Sequence, residues 1–217
     1  MGRLFLVYAL IIGLTLVVSG AQAAVPSFYG YSGLMVTPTS DALSKGDYSF
    51  GGVGIDVNNV TDLNIYSANM GLADNLEVGF ARVKPDGMVG ETWVNAKYRF
   101  LEETETHPAV AAGVFDFTDE MNATTYVVLS KSFVWRGTTE YGDVNAPQIH
   151  FGVGGGQLDG IFGGISVQLG DRLMLMGEYD TEDVNVGLRL AITKEIRIHA
   201  GLLNGDDLAL GISFVKQ

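Results

Sequence analysis

The chain has 217 residues, with 25 acidic and 13 basic side chains and a net charge of −12. This length suits one domain better than two, and the acidic balance excludes a nucleic-acid role, which needs a basic face. There is no cysteine, so disulfides, thiolate zinc sites and thiol chemistry are excluded too.

Residues 1–23 read as a secretion signal. Arg3 gives the positive start, the stretch from Leu4 to Val18 is apolar, and Ala21-Gln22-Ala23 is a small-x-small cleavage site. The apolar stretch is shorter than the roughly 20 residues a spanning helix needs. Cleavage after Ala23 puts Ala24 first, and Ala there rather than Cys gives no lipoprotein signal. No later apolar run is long enough for a spanning helix, so any membrane insertion must be as a closed barrel.

Residues 24–46 form a segment of their own, rich in Tyr and Gly and apolar at Leu34, Met35 and Val36. Pro38 stops regular strand pairing there. Tyr31, Leu34, Met35, Thr37, Pro38 and Thr39 are candidate plug residues. Two readings are open: a segment packed into a barrel lumen or against its rim, and an edge strand or loose leader.

From residue 47 to the end of the chain, alternation predicts one antiparallel transmembrane barrel, an all-β up-and-down meander of about twelve strands. They fall near 47–56, 62–71, 75–83, 92–101, 109–117, 123–133, 147–156, 160–169, 172–179, 184–192, 195–203 and 207–215. Each approaches the 9–11 residues, roughly, of a membrane strand. The pattern is cleanest late in the chain. Val184, Val186, Leu188 and Leu190 share one face, opposite Asn185, Gly187 and Arg189. Regions 109–117 and 123–133 are apolar on both faces, and alternation does not orient them. A soluble sandwich also alternates. The signal, the 29 glycines, the 5 prolines and the tight turns favour the membrane barrel.

Turn length suggests orientation. Turns 72–74, 170–171 and 193–194 are tight and expected in the periplasm, whereas 56–62, 84–91, 118–122 and 180–183 are expected outside the cell. Loop 134–146 conflicts with this scheme, being the longest and on the periplasmic side.

The inward positions include Glu77, Lys97, Arg99, Glu178, Arg189, Arg197 and His199 as candidate lumen residues. They either tune what passes or form an internal salt-bridge network that rigidifies a closed barrel. Inward Gly152, Gly154, Gly164, Gly187, Gly201 and Gly211 leave room, while Phe162, Met174 and Met176 argue against a wide wet channel. Tyr29, Tyr31, Trp93, Trp135 and Tyr141 read either as sugar-stacking surfaces or as interfacial girdle residues. No Ser and His fall together on one rim in a hydrolase arrangement. The Gly runs at 51–54 and 152–156 do not complete a dinucleotide fingerprint. Asp56-Val57-Asn58 starts like a calcium loop but lacks the later ligands. The expectation is therefore a non-catalytic protein with no metal and no cofactor.

Two stretches carry a family resemblance. One is GYSGLMVTPTSDALSKGDYSFG at 30–51, with its Gly-Leu-x-x-Thr-Pro-Thr core. The other is RLMLMGEYDTEDVNVGLRL at 172–190, with Glu-Tyr-Asp closing one strand and Asn-x-Gly-Leu-Arg opening the next. They resemble the YjbH-like outer-membrane barrels associated with exopolysaccharide. The resemblance implies the bacterial outer membrane and a non-enzymatic part in polysaccharide export or surface organisation. Its expected partners are outer-membrane lipid, a polysaccharide or a protein of the export machinery. A small passive diffusion channel and a structural scaffold are the alternatives.

Overall fold

Strands form in this chain wherever alternate residues can face hydrocarbon on one side and a packed interior on the other. The computed structural model describes residues 24–57, 61–133, 138–139, 142–143 and 147–216. The signal and its cleavage site, at 1–23, lie outside the described residues.

The strands are β1 (Tyr48–Val57), β2 (Thr61–Ala73), β3 (Leu76–Pro85), β4 (Glu91–Leu101), β5 (Ala109–Phe115) and β6 (Thr124–Ser132). A two-residue ribbon follows, β7 (Thr138–Thr139) with β8 (Gly142–Asp143). Then come β9 (Gln148–Gly154), β10 (Gly160–Leu169), β11 (Leu173–Tyr179), β12 (Val184–Ala191), β13 (Ile196–Leu203) and β14 (Asp207–Lys216). Setting the ribbon aside, every strand pairs antiparallel with its neighbour along the chain, and β1 closes on β14. The result is the expected meander, a closed barrel of twelve strands. Closure leaves no unpaired edge for lipid or another chain to meet. The ribbon lies within the long 134–146 loop, most of which is outside the described residues.

The strand expected at 109–117 stops at Phe115. Asp116 turns to φ 54° and its carboxylate accepts the amides of Glu120, Met121 and Asn122 at 3.1, 2.8 and 2.9 Å. These bonds divert the backbone from the ladder. Burial opposes ionisation of Asp116, but the amides outweigh it and hold the carboxyl below the usual carboxylate range.

The outward face is apolar on both halves of the wall. Phe50, Phe80, Phe151, Ile161, Leu210 and Ile212 are each more than half exposed. In water such a surface would drive association; in a bilayer it is solvated by acyl chains. The two regions that alternation left unoriented now have a direction. Ala109, Ala111, Phe115, Tyr126 and Val128 point inward and are buried. Both faces are apolar there because that sector of the interior is itself apolar, packed around Tyr31.

The barrel termini, the turns after β2 and β10 and the connection from β6 to β9 share one end, called here the terminal end. The loops after β1, β3, β5, β9, β11 and β13 form the distal end.

Phe151 lies at the middle of β9 on the outward face. Phe151→Arg is expected to destabilise the vesicle-inserted barrel by about 2–4 kcal/mol, as for other mid-bilayer cations. Urea titration of the barrel in lipid vesicles measures this, and an unchanged midpoint would contradict a lipid-facing β9.

Candidate functional site: a lumen filled by residues 24–46

Residues 24–43 run inside the barrel, and 44–46 are exposed at its mouth. Ala24, Val25 and Leu43 pack on Val215 at the terminal end, and Lys45 bridges to Gly71 just before β1 begins. Between these points the segment rises toward the distal end and returns. Isolated bridges Pro26–Ser32 and Gly33–Pro38 pinch it into a compact double bend. Tyr31, Leu34, Met35, Thr37, Thr39 and Ser40 are all buried.

A buried backbone without helix or sheet still needs partners for its amides and carbonyls. The barrel wall supplies them through charged side chains. On β3, Glu77 accepts the Ser32 amide at 3.0 Å, the Ser32 hydroxyl at 2.5 Å and the Leu43 amide at 3.0 Å. Directly across on β4, Lys97 donates to the carbonyls of Ser32 at 2.5 Å and Asp41 at 2.8 Å. On β11, Glu178 accepts three successive amides, Met35 at 3.2 Å, Val36 at 2.6 Å and Thr37 at 3.1 Å, and the Thr37 hydroxyl at 2.8 Å. Three consecutive amides aimed at one carboxylate form a concave anion site of the nest kind. On β12, Arg189 donates to the carbonyls of Gly33 and Leu34 at 3.1 and 3.2 Å. Asn69 on β2 donates to the Gly30 carbonyl at 2.6 Å. Within the segment, Tyr31 donates its hydroxyl to the Val36 carbonyl.

The charges therefore serve a purpose other than the internal salt-bridge network that was one sequence reading. Glu77, Lys97, Glu178 and Arg189 all hold main-chain atoms of the segment. His199 lies beneath it: Arg189 Nε donates to His199 Nδ1 at 3.2 Å, and Phe28 packs edge-on to the imidazole. Arg99 and Arg197 are set apart near the terminal mouth. Arg99 bonds Asn75 Oδ1 and pairs with Glu102 at 3.0 Å, while Arg197 reaches the Glu195 carbonyl.

Pro38 pairs with Gly33, Thr39 bonds Asp41, and Ser40 donates its amide to Ser130 Oγ at 3.0 Å. Space for the segment comes from missing side chains. A Cβ at Gly187 would lie 2.4 Å from the Met35 sulfur. Gly30, at φ +99°, would place one 2.9 Å from Ser67 Cβ and 3.0 Å from Ala81 Cβ.

Several contacts of the site escaped the sequence reading. Trp93, considered there as a stacking or girdle residue, is fully buried inside, 5.7 Å from the Tyr29 ring. Tyr31 stacks obliquely on Phe115 at 4.8 Å and lies 6.2 Å from Tyr126. Inward parity within β4, which already puts Asn95 beside Lys97, could have found Trp93 as well. Trp135 and Tyr141 lie outside the described residues. Two Ser–His pairs also come together that spacing did not reveal, Ser130 with His150 at 2.8 Å and Ser213 with His199 at 2.7 Å. A hydrolytic triad orients its imidazole with a carboxylate. Here the second nitrogen of His199 faces a guanidinium, and that of His150 faces the Ser166 hydroxyl at 3.4 Å.

The family model for an exopolysaccharide biosynthesis protein, YjbH, matches residues 25–216. The chain belongs to the YjbH family. The match includes the filled lumen as well as the wall, and it spans the middle of the chain, where the sequence resemblance was thin. This YjbH-family barrel is similar in structure to the KdgM porin, with a TM-score of 0.53 and 12% identity over 79% of this chain and 99% of that one. A KdgM porin in complex with disordered oligogalacturonate is similar at a TM-score of 0.52, with the same identity and coverage. At that identity the likeness is one of fold. No curated protein matches the sequence.

Glu178→Ala would leave the amides of residues 35–37 buried without their acceptor. The segment is expected to lose about 3 kcal/mol of docking, and cleavage within 24–46 by an added protease should speed up while the barrel stays intact. A cleavage rate equal to wild type would show that Glu178 does not hold the segment.

Proposed function

We propose that this chain is a non-catalytic outer-membrane barrel, processed after Ala23, that assists export or surface organisation of an exopolysaccharide. In its resting state residues 24–46 plug the lumen. The observation that carries this reading is the use made of the lumen charges. Glu77, Lys97, Glu178 and Arg189 hold one segment at many points along its length, which a merely trapped leader would not need. Membership of the exopolysaccharide family supports the polymer as cargo. With the terminal end in the periplasm, the orientation that the tight turns after β2 and β10 favour, the plug enters from the side where an export partner would reach it. Outer-membrane lipid is the partner of the apolar belt.

A passive diffusion channel is the second reading. It is favoured by the likeness to the KdgM porin, one structure of which holds disordered oligogalacturonate.

Single-channel conductance of refolded 24–217 in a planar bilayer tests the first reading against the second, beside a form lacking 25–45. The plugged barrel is expected to be silent when intact and to conduct once the segment is removed, with heat-modifiable migration confirming that both forms fold. Steady conductance of the intact protein would overturn the plug and favour the diffusion channel.

A further inference from the structure

The plug meets the barrel through a second kind of contact, which its hydrogen bonds do not explain. Flat aromatic faces line the distal third of the lumen on three consecutive barrel strands. Trp93 on β4 lies 6.4 Å from Phe115 on β5, and Tyr126 on β6 continues the strip. Tyr29 and Tyr31 of the plug lie on this strip, at 5.7 Å from Trp93 and 4.8 Å from Phe115. Beside the rings are polar atoms with no hydrogen-bond partner among the described residues: Trp93 Nε1 and Asn95 Nδ2. Both residues are more than nine-tenths buried. Asn95 turns its carbonyl oxygen to the Asp116 amide and its Nδ2 toward the plug, 3.7 Å from where a Cβ on Gly30 would be. Buried donors normally find acceptors, and the plug offers these two none.

We propose that Trp93, Asn95, Phe115 and Tyr126 form a saccharide subsite for uncharged sugar units, which Tyr29 and Tyr31 occupy while the plug is in place. The proposal rests on the plugged-lumen reading above. A pyranose has an apolar C–H face and a rim of hydroxyls. Laid on the aromatic strip, it replaces the tyrosine rings, and its rim oxygens accept from Trp93 Nε1 and Asn95 Nδ2.

The electrostatics select the sugar class. The aromatic strip carries no charge. The distal rim around it presents Asp86, Glu91, Asp119, Glu120, Glu182 and Asp183 to solvent against Arg82 and Lys84, a net negative field that repels a polyanion. A uronate polymer such as oligogalacturonate is therefore disfavoured.

Calorimetric titration of detergent-solubilised 24–217 with neutral hexasaccharides of glucose, galactose and mannose, and with hexagalacturonate, tests this. Glu178→Gln loosens the plug from the opposite wall, and the form lacking 25–45 removes it. At least one neutral sugar is expected to bind both forms about tenfold more tightly than wild type, because the resident competitor is weakened or gone. In either background Trp93→Leu and, separately, Asn95→Ala should weaken that binding about tenfold, the scale of one lost stacking or buried polar contact.

The subsite is overturned if hexagalacturonate binds as tightly as every neutral sugar, if none binds the form lacking 25–45, or if both substitutions leave binding unchanged. Conductance separates the two readings. A Glu178→Gln channel that conducts but binds no sugar, like its plug-deleted counterpart, keeps the plug and removes the subsite. Sugar binding sensitive to Trp93 without any conductance keeps the subsite and removes the channel.

Discussion

An irregular peptide can remain in a water-poor lumen only if nearly all of its amides and carbonyls are hydrogen-bonded. The rest of this structure depends on that constraint. Regular elements meet it internally, as the barrel wall does through its closed ladder. Residues 24–46 meet it by borrowing. Carboxylates on β3 and β11 take amides, and cations on β4 and β12 give to carbonyls. Hydrogen bonds to charged groups are the stronger kind, and placing one group of each sign on each side of the lumen holds the segment from both walls. The glycines on the inward face make the same accommodation sterically, since Gly187 and Gly201 leave the gap that Met35 fills.

The two faces of the wall answer to different solvents. Outside, nearly any apolar residue serves, so Phe50, Ile161 and Leu210 are interchangeable in kind. Inside, each position faces one particular neighbour. That difference governs how much was legible in the sequence. Strand number, order and most inward residues could be read from period-2 alternation, because lipid demands an apolar stripe at every other position. The reading failed to orient β5 and β6, where the aromatic sector of the lumen is as apolar as the membrane and alternation carries no contrast.

The site was half legible for a related reason. Parity places Glu77, Lys97, Glu178, Arg189 and His199 inward, yet it does not name what they touch. Their hydrogen bonds to the segment span from 34 to 156 positions of sequence, and nothing local encodes a pairing at that separation. Asn69 passed unnoticed, and Asn95 and Asn185 were placed inward without a role, because an inward amide looks like any other polar lumen residue. Asn185 donates to Glu178 at 3.3 Å and so helps to hold the nest acceptor in place. Of the two readings open for Trp93 the interfacial girdle fails: a tryptophan near a strand end usually marks the membrane interface, whereas its parity within β4 turns it inside. The stretch at 30–51 that carried part of the family resemblance folds largely into the lumen segment and the opening of β1.

Both ends of the segment leave through the terminal end, beside Val215 and Gly71. The bend can therefore slide out as a loop without threading a free end through the barrel, and it stays tied to β1 when it does. A tether this short keeps a displaced segment at an effective concentration on the order of millimolar. Reinsertion is then a fast first-order event, independent of how much protein the membrane holds. A soluble sugar at micromolar levels competes poorly with such a tethered rival. A polymer that engages the wall through many linked units, or a partner at the terminal end that captured the emerging loop, would compete far better.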